Sequence, residues 1–214
     1  MLAAVLAAVL AGSVLHARQR VRVVNDPRAL LTQKVRDAGL TFGPTVAPAD
    51  RELILRDIAL ARPEARRLIA LVDGLVTVSV GDASSGGADA IGYTQGTANG
   101  FDMRLNLAAV YQAEGERGTQ RLVLHELGHV VDAVLVKHGL AAKLDAPIPA
   151  GYGCDPMASS PIGCAPREER FAETFSKWCT GDIGVNLPIG YKVAPPLSLD
   201  EWGAQLVSGV DAAA

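Results

Sequence analysis

The chain has 214 residues, of which 49% are hydrophobic and 20% charged, with a formal net charge of −3. That length and apolar content suit one globular domain with a core of its own. The small, interspersed charge excludes a basic nucleic-acid face and a basic membrane-surface patch, and 5% aromatics leave Ala, Val and Leu to do most of the packing.

Met1 to Leu15 is apolar but short for a membrane-spanning helix. It reads as a signal-peptide core with Val9-Leu10-Ala11 as a small-residue cleavage site, although no Lys or Arg precedes it. Residues 1–17 are therefore expected to be a signal peptide or a retained N-terminal anchor, which places the protein outside the cytoplasm, secreted or on the cell surface. Residues 18–74 read as a helical segment, either a layer on the catalytic part or a pro-segment over its site. Within it, Arg18 to Val24 suits a short strand, and Asp26 and Pro27 open a helix from Arg28 to Ala38. Gly43 to Pro48 is a connector. Asp50 is expected to cap a helix to about Ala61, and Pro63 to open another across Glu64 to Val72.

The remainder, 75–214, reads as the catalytic domain. Leu75 to Val80, Ala90 to Thr94 and Phe101 to Leu107 carry strand signals, the last two joined by a turn over Gln95 to Gly100. Phe101, Met103, Leu105 and Leu107 alternate with Asp102, Arg104 and Asn106, so one face of that strand is buried and one is wet. An exposed sheet edge, at the Gly92 region or at 101–107, is expected to pair with an extended peptide.

A helix follows, expected to start at Gly118-Thr119 and to stop at Gly139. It contains His125-Glu126-Leu127-Gly128-His129, the order H-E-x-x-H. Residues four apart on a helix share a face, so both imidazoles can reach one metal ion. Glu126 is turned about a quarter-turn away, where its carboxylate can serve as a base without being a ligand. Leu122 to Leu135 is apolar nearly all round. The helix should be buried, and buried polar groups need partners. A catalytic site normally has three protein ligands, so one is missing. Asp132 is on the same helix but lies roughly 10 Å along the axis from His125 at about 1.5 Å per residue. It is assigned to a supporting or inter-helix contact instead.

The Gly/Pro/Ser-rich stretch from Ala150 to Pro166 holds Tyr152, Cys154 and Cys164. With Cys179 the chain has three cysteines. Any one of three pairings is open, proximity favours Cys154–Cys164, and the spacing does not suit metal-binding thiols. Pro166 then starts a helix to Trp178, with Phe171, Phe175 and Trp178 as its apolar stripe. Glu169, Ala172, Glu173 and Ser176 share another face. Small Ala172 and Gly128 would let the two helices approach and bring a carboxylate to the histidines, with Glu173 accepting a ligand histidine N–H.

His125-Glu-Leu-Gly-His-Val-Val-Asp132 followed by Glu169-Arg-Phe-Ala-Glu-Thr-Phe175 resembles the gluzincin metallopeptidases, and among them the branch of the anthrax lethal factor catalytic domain and the Pro-Pro endopeptidases. The resemblance covers about Gly118 to Trp178. It implies that His125, His129 and Glu169 bind Zn2+, that Glu126 is the general base, that Glu173 supports a ligand histidine, and that the protein is a peptidase. The family places a tyrosine seven residues before the ligand glutamate to support the oxyanion. Here that position is Ile162, and the role is assigned to Tyr152, the nearest upstream tyrosine.

The expected fold is thus α+β and zincin-like, a small mixed sheet packed on an active-site helix with a mainly helical C-terminal part. The expected function is zinc-dependent endopeptidase, by Glu-assisted attack of a zinc-bound water on a peptide or protein substrate. Nucleic acid is not expected as a partner, nor a membrane beyond the N-terminal anchor, and the chain is expected to be a monomer. The alternatives are a catalytically silent, zinc-stabilised protein-binding module and a metal-dependent hydrolase of a non-peptide bond.

Overall fold

The structure is a computed structural model, and it describes residues 39–87, 90–150, 165–183 and 193–213. The apolar start, the expected strand at 18–24, the expected helix at 28–38, and Tyr152, Cys154 and Cys164 lie outside the described residues. Cys179, within them, is a buried free thiol.

The fold is α+β with one small mixed sheet. Strands β1 (Thr41–Phe42), β2 (Val76–Val80), β3 (Gly92–Thr97) and β4 (Gly100–Leu105) lie in the order β1-β2-β4-β3. β1 and β4 run parallel to β2, and β3 is antiparallel to β4, with Thr94 opposite Met103. β3 is therefore an edge and β4 an interior strand. The β3–β4 turn is tighter than expected: Gln95, Gly96 and Thr97 belong to the strand. Gly100 closes it at φ 141°, and a Cβ there would stand 2.1 Å from the Leu75 carbonyl oxygen, so only glycine fits.

Six helices accompany the sheet among the described residues. Helix α1 (Pro48–Ala59) begins two residues before Asp50, with Pro48 in its first turn, and no side chain caps it. Proline supplies the helical φ and needs no N–H partner there, which moved the start upstream of the acidic residue. Helix α2 (Pro63–Ala70) begins at the expected proline. Helix α3 (Leu107–Leu135) is longer than expected. Leu107 is its first residue rather than the end of a strand, because Asn106 Oδ1 accepts from the Ala109 N–H and caps the helix. Gly118-Thr119 is interior, the Thr119 hydroxyl being spent on the Glu116 carbonyl. The one break in α3 is at Gly115, at φ 66°. Helix α3 stops at Leu135, four residues before Gly139, which falls inside α4 (His138–Asp145). Helices α5 (Arg167–Thr180) and α6 (Leu199–Asp211) complete the chain. Gly181, at φ 73°, ends α5.

One core joins all of this. Ile54 and Leu68 from α1 and α2, Val78, Met103 and Leu105 from the sheet, Leu124, Leu127 and Val131 from α3, and Phe171, Phe175, Trp178 and Trp202 from α5 and α6 are all buried in it. Helix α3 packs on both the sheet and α5, so the H-E-x-x-H segment lies between them. At about 1.5–3 kcal/mol per fully buried large apolar side chain, that seam outweighs the exposed ion pairs, worth about 0–1 kcal/mol each. Among the described residues no helix is long and apolar enough to cross a membrane.

Candidate metal centre

Helices α3 and α5 meet where neither has bulk. A Cβ on Gly128 would lie 3.1 Å from Ala172 Cα, so the close approach expected from these two small residues is present. Along this seam the side chains pair in reverse order. Arg121 meets Glu173 at 2.6 Å, His125 meets Glu169 at 3.0 Å, and Arg167 grips Asp132 with both guanidinium nitrogens at 2.5 Å. Rising numbers on α3 meet falling numbers on α5, so the helices are antiparallel. Arg121, His125 and His129 repeat every fourth residue on one side, and Glu169, Glu173 and Lys177 do so on the other.

At the middle of the seam His125 Nε2 lies 3.0 Å from Glu169 Oε2 and 3.2 Å from His129 Nε2. His129 Nε2 is 3.5 Å from Glu169 Oε1. Bonds of about 2.0–2.1 Å at tetrahedral angles put ligand atoms about 3.3–3.4 Å apart; the two imidazole Nε2 atoms are 3.2 Å apart, and each meets a different oxygen of the Glu169 carboxylate. The three residues form a group able to hold a metal, each offering one atom within 4.8 Å of the others. Two imidazoles and a carboxylate are borderline nitrogen and oxygen donors, and no thiol joins them among the described residues. Asp132 is absent from the group, as its distance along the helix requires.

The surrounding charges set the protonation of these groups. Burial works against a charged His125, but hydrogen bonds to Glu169 and Glu173 and the charges of Glu173 and Glu126 outweigh it and hold the ring up at about 10. Burial likewise works against the Glu169 carboxylate, but both imidazoles draw it well below the usual range. Glu173, also opposed by burial, is held down to about 2 by His125, Arg121 and Lys177.

Glu126 lies outside the ligand group and reaches to the sheet. Its carboxylate is buried, and Oε2 accepts from the Thr94 hydroxyl at 2.8 Å. A Cβ on Gly92 would stand 2.7 Å from Oε1, so the edge strand β3 lies directly against the carboxylate. Burial raises the Glu126 pKa, only partly offset by His125, His129 and Thr94. It is a buried carboxyl held against a strand edge, outside the group able to hold a metal, and a carboxyl with a raised pKa is a kind of group that can take up and release a proton.

Glu173 Oε1 is 3.5 Å from His125 Nδ1, the ring nitrogen that does not point at the ligand group. Three residues that the sequence reading did not single out belong here. Thr94 holds Glu126, while Arg121 and Lys177 hold Glu173. Arg121 sits four residues before His125 and Lys177 four after Glu173, so helical spacing was a usable signal for both. Thr94 carried none beyond its strand alternation.

Comparison of the chain with family models, with curated proteins and with solved structures gives no match.

Proposed function

We propose that the protein is a zinc-dependent endopeptidase of the zincin type, similar in its metal centre to the gluzincins. The observation that carries this reading is the separation of roles on one helix: His125 and His129 converge with Glu169 in one group able to hold a metal, while the Glu126 carboxylate reaches the sheet and is held there by Thr94. A site that only stabilised the fold would have no use for a buried, non-ligating carboxylate at that point. β3 is last in the strand order of the described sheet, and an extended peptide pairing with it would lie beside Glu126.

When bound, zinc supplies Lewis acidity, polarising the scissile carbonyl and acidifying a water. The chain's own residues do the rest. His125, His129 and Glu169 hold the ion, and Glu173 orients His125 through Nδ1. Glu126 takes the proton of the attacking water on its carboxylate and returns it to the leaving amine, which needs a raised pKa. Tyr152 is the proposed oxyanion donor.

The test is a peptide-library cleavage assay on purified protein with metal content measured alongside. Cleavage should be abolished by a chelator and restored by zinc. Glu126→Gln should keep about one zinc per chain and lose at least 10²-fold in kcat, the lower end for removing a general base. Glu169→Ala should lose both metal and cleavage. Full zinc occupancy in Glu169→Ala sinks the ligand assignment, and undiminished cleavage by Glu126→Gln sinks the base.

A further inference from the structure

We infer that Arg121 and Lys177 are positioning residues for the metal ligand His125, acting through the Glu173 carboxylate; this rests on the metal-centre reading above. The two cations converge on one oxygen. Arg121 Nη2 lies 2.6 Å and Lys177 Nζ 3.3 Å from Glu173 Oε2. That fixes the carboxylate plane and turns the other oxygen, Oε1, towards His125 Nδ1 at 3.5 Å. A proton on Nδ1 shared with Oε1 leaves the Nε2 lone pair for the ion, so the orientation of Glu173 selects the ligating tautomer.

Burial argues that this arrangement is not a by-product of folding. Lys177 is 2% exposed and Glu173 2%, and the Arg121 side chain is 13% exposed. A lysine buried this deeply costs the fold more than an apolar side chain of the same shape, even when paired. Lys177 is held from the far side as well, donating to the Val193 carbonyl at 2.5 Å. The segment entering α6 thereby anchors the ammonium that anchors Glu173. Charge gives a second reason. Both cations face the Glu173 carboxylate, which is 2% exposed and would otherwise carry a buried charge balanced by His125 alone. Without them nothing on the Oε2 side holds the carboxylate turned to His125.

Zinc affinity, measured on the full chain by competition with a chromophoric chelator, tests the inference with no substrate present. Arg121→Met and Lys177→Met should each weaken zinc binding about tenfold or more, the usual effect of removing a group that supports a metal ligand. Glu173→Gln should do the same. In the Glu173→Gln background Arg121→Met should cost less than about threefold more, because its route to His125 is already cut. Arg121→Lys keeps a cation and the fold while shortening its reach. It should weaken zinc about threefold alone and not at all alongside Glu173→Gln, which completes the cycle if a Met variant does not fold. Wild-type affinity in folded Arg121→Met and Lys177→Met overturns the inference, as does a loss that multiplies fully on Glu173→Gln. A wild-type chain that binds zinc but cleaves no peptide overturns only the proposed activity. One that binds no zinc overturns both.

Discussion

The Glu126 carboxylate is fixed by two positions on one face of one strand: Thr94 donates to Oε2, and the bare Cα of Gly92 leaves Oε1 its space. Thr94 Oγ1 also lies 3.2 Å from the Glu126 carbonyl oxygen, so its one proton is shared between the backbone and the side chain of Glu126, with the nearer carboxylate favoured. Thr94→Val keeps the β-branched shape and removes the donor, leaving Glu126 buried and loosely aimed. The expected result is a kcat about tenfold lower, a fraction of the full effect of the base, with zinc stoichiometry unchanged and most of the rate regained in Thr94→Ser. A rate unaffected by Thr94→Val, or a loss of zinc, would show that Thr94 does not orient the base. His125, Glu126 and His129 were legible because the chemistry fixes their spacing on one helix. Thr94 was not, because it comes from a strand 32 residues earlier, and strand alternation says which face a residue is on but not what it meets.

At the scale of elements, the seam between α3 and α5 was largely readable and the ends of α3 were not. Two small residues and two sets of polar residues four apart sufficed to put the helices side by side. The start of α3 was misplaced because Asn106 ends an alternating run and caps the helix, and a local pattern cannot weigh one role against the other. On its other flank α3 meets α1, and Asp57 is buried at that joint. Its Oδ1 faces Arg56 at 3.3 Å, while Oδ2 has no hydrogen-bond partner. Burial raises its pKa despite Arg56. A carboxylate raised above its unfolded value stabilises the fold below that unfolded value and loses the contribution as the pH rises through the folded one. Asp57 should therefore favour folding most at or below about pH 3.8 and least at neutral pH. Denaturant unfolding of wild type and Asp57→Asn should show the wild type gaining stability relative to the variant on going from pH 7 towards pH 4. A gap that is constant, or that moves the other way, rules out a raised Asp57.

On the scale of the molecule, the candidate metal-binding group straddles two layers, with His125 and His129 on the helix that backs the sheet and Glu169 on the helix behind it. An ion held there is a cross-link between elements 44 residues apart, present only in the folded chain. Anything that binds the native state alone raises its stability by mass action, by about 2.7 kcal/mol at a hundred times the dissociation constant. For a chain of roughly 200 residues each kcal/mol moves the melting temperature by about 2–4 °C, so zinc at that excess should raise it by about 5–10 °C. The rise should vanish with a chelator and in Glu169→Ala. It should persist in Glu126→Gln, whose carboxylate lies outside the ligand group. Calorimetric scans of these three proteins with and without zinc thus separate holding the ion from using it. Equal shifts in wild type and Glu169→Ala would mean that zinc binds elsewhere and that the α3–α5 seam is closed by packing and ion pairs alone.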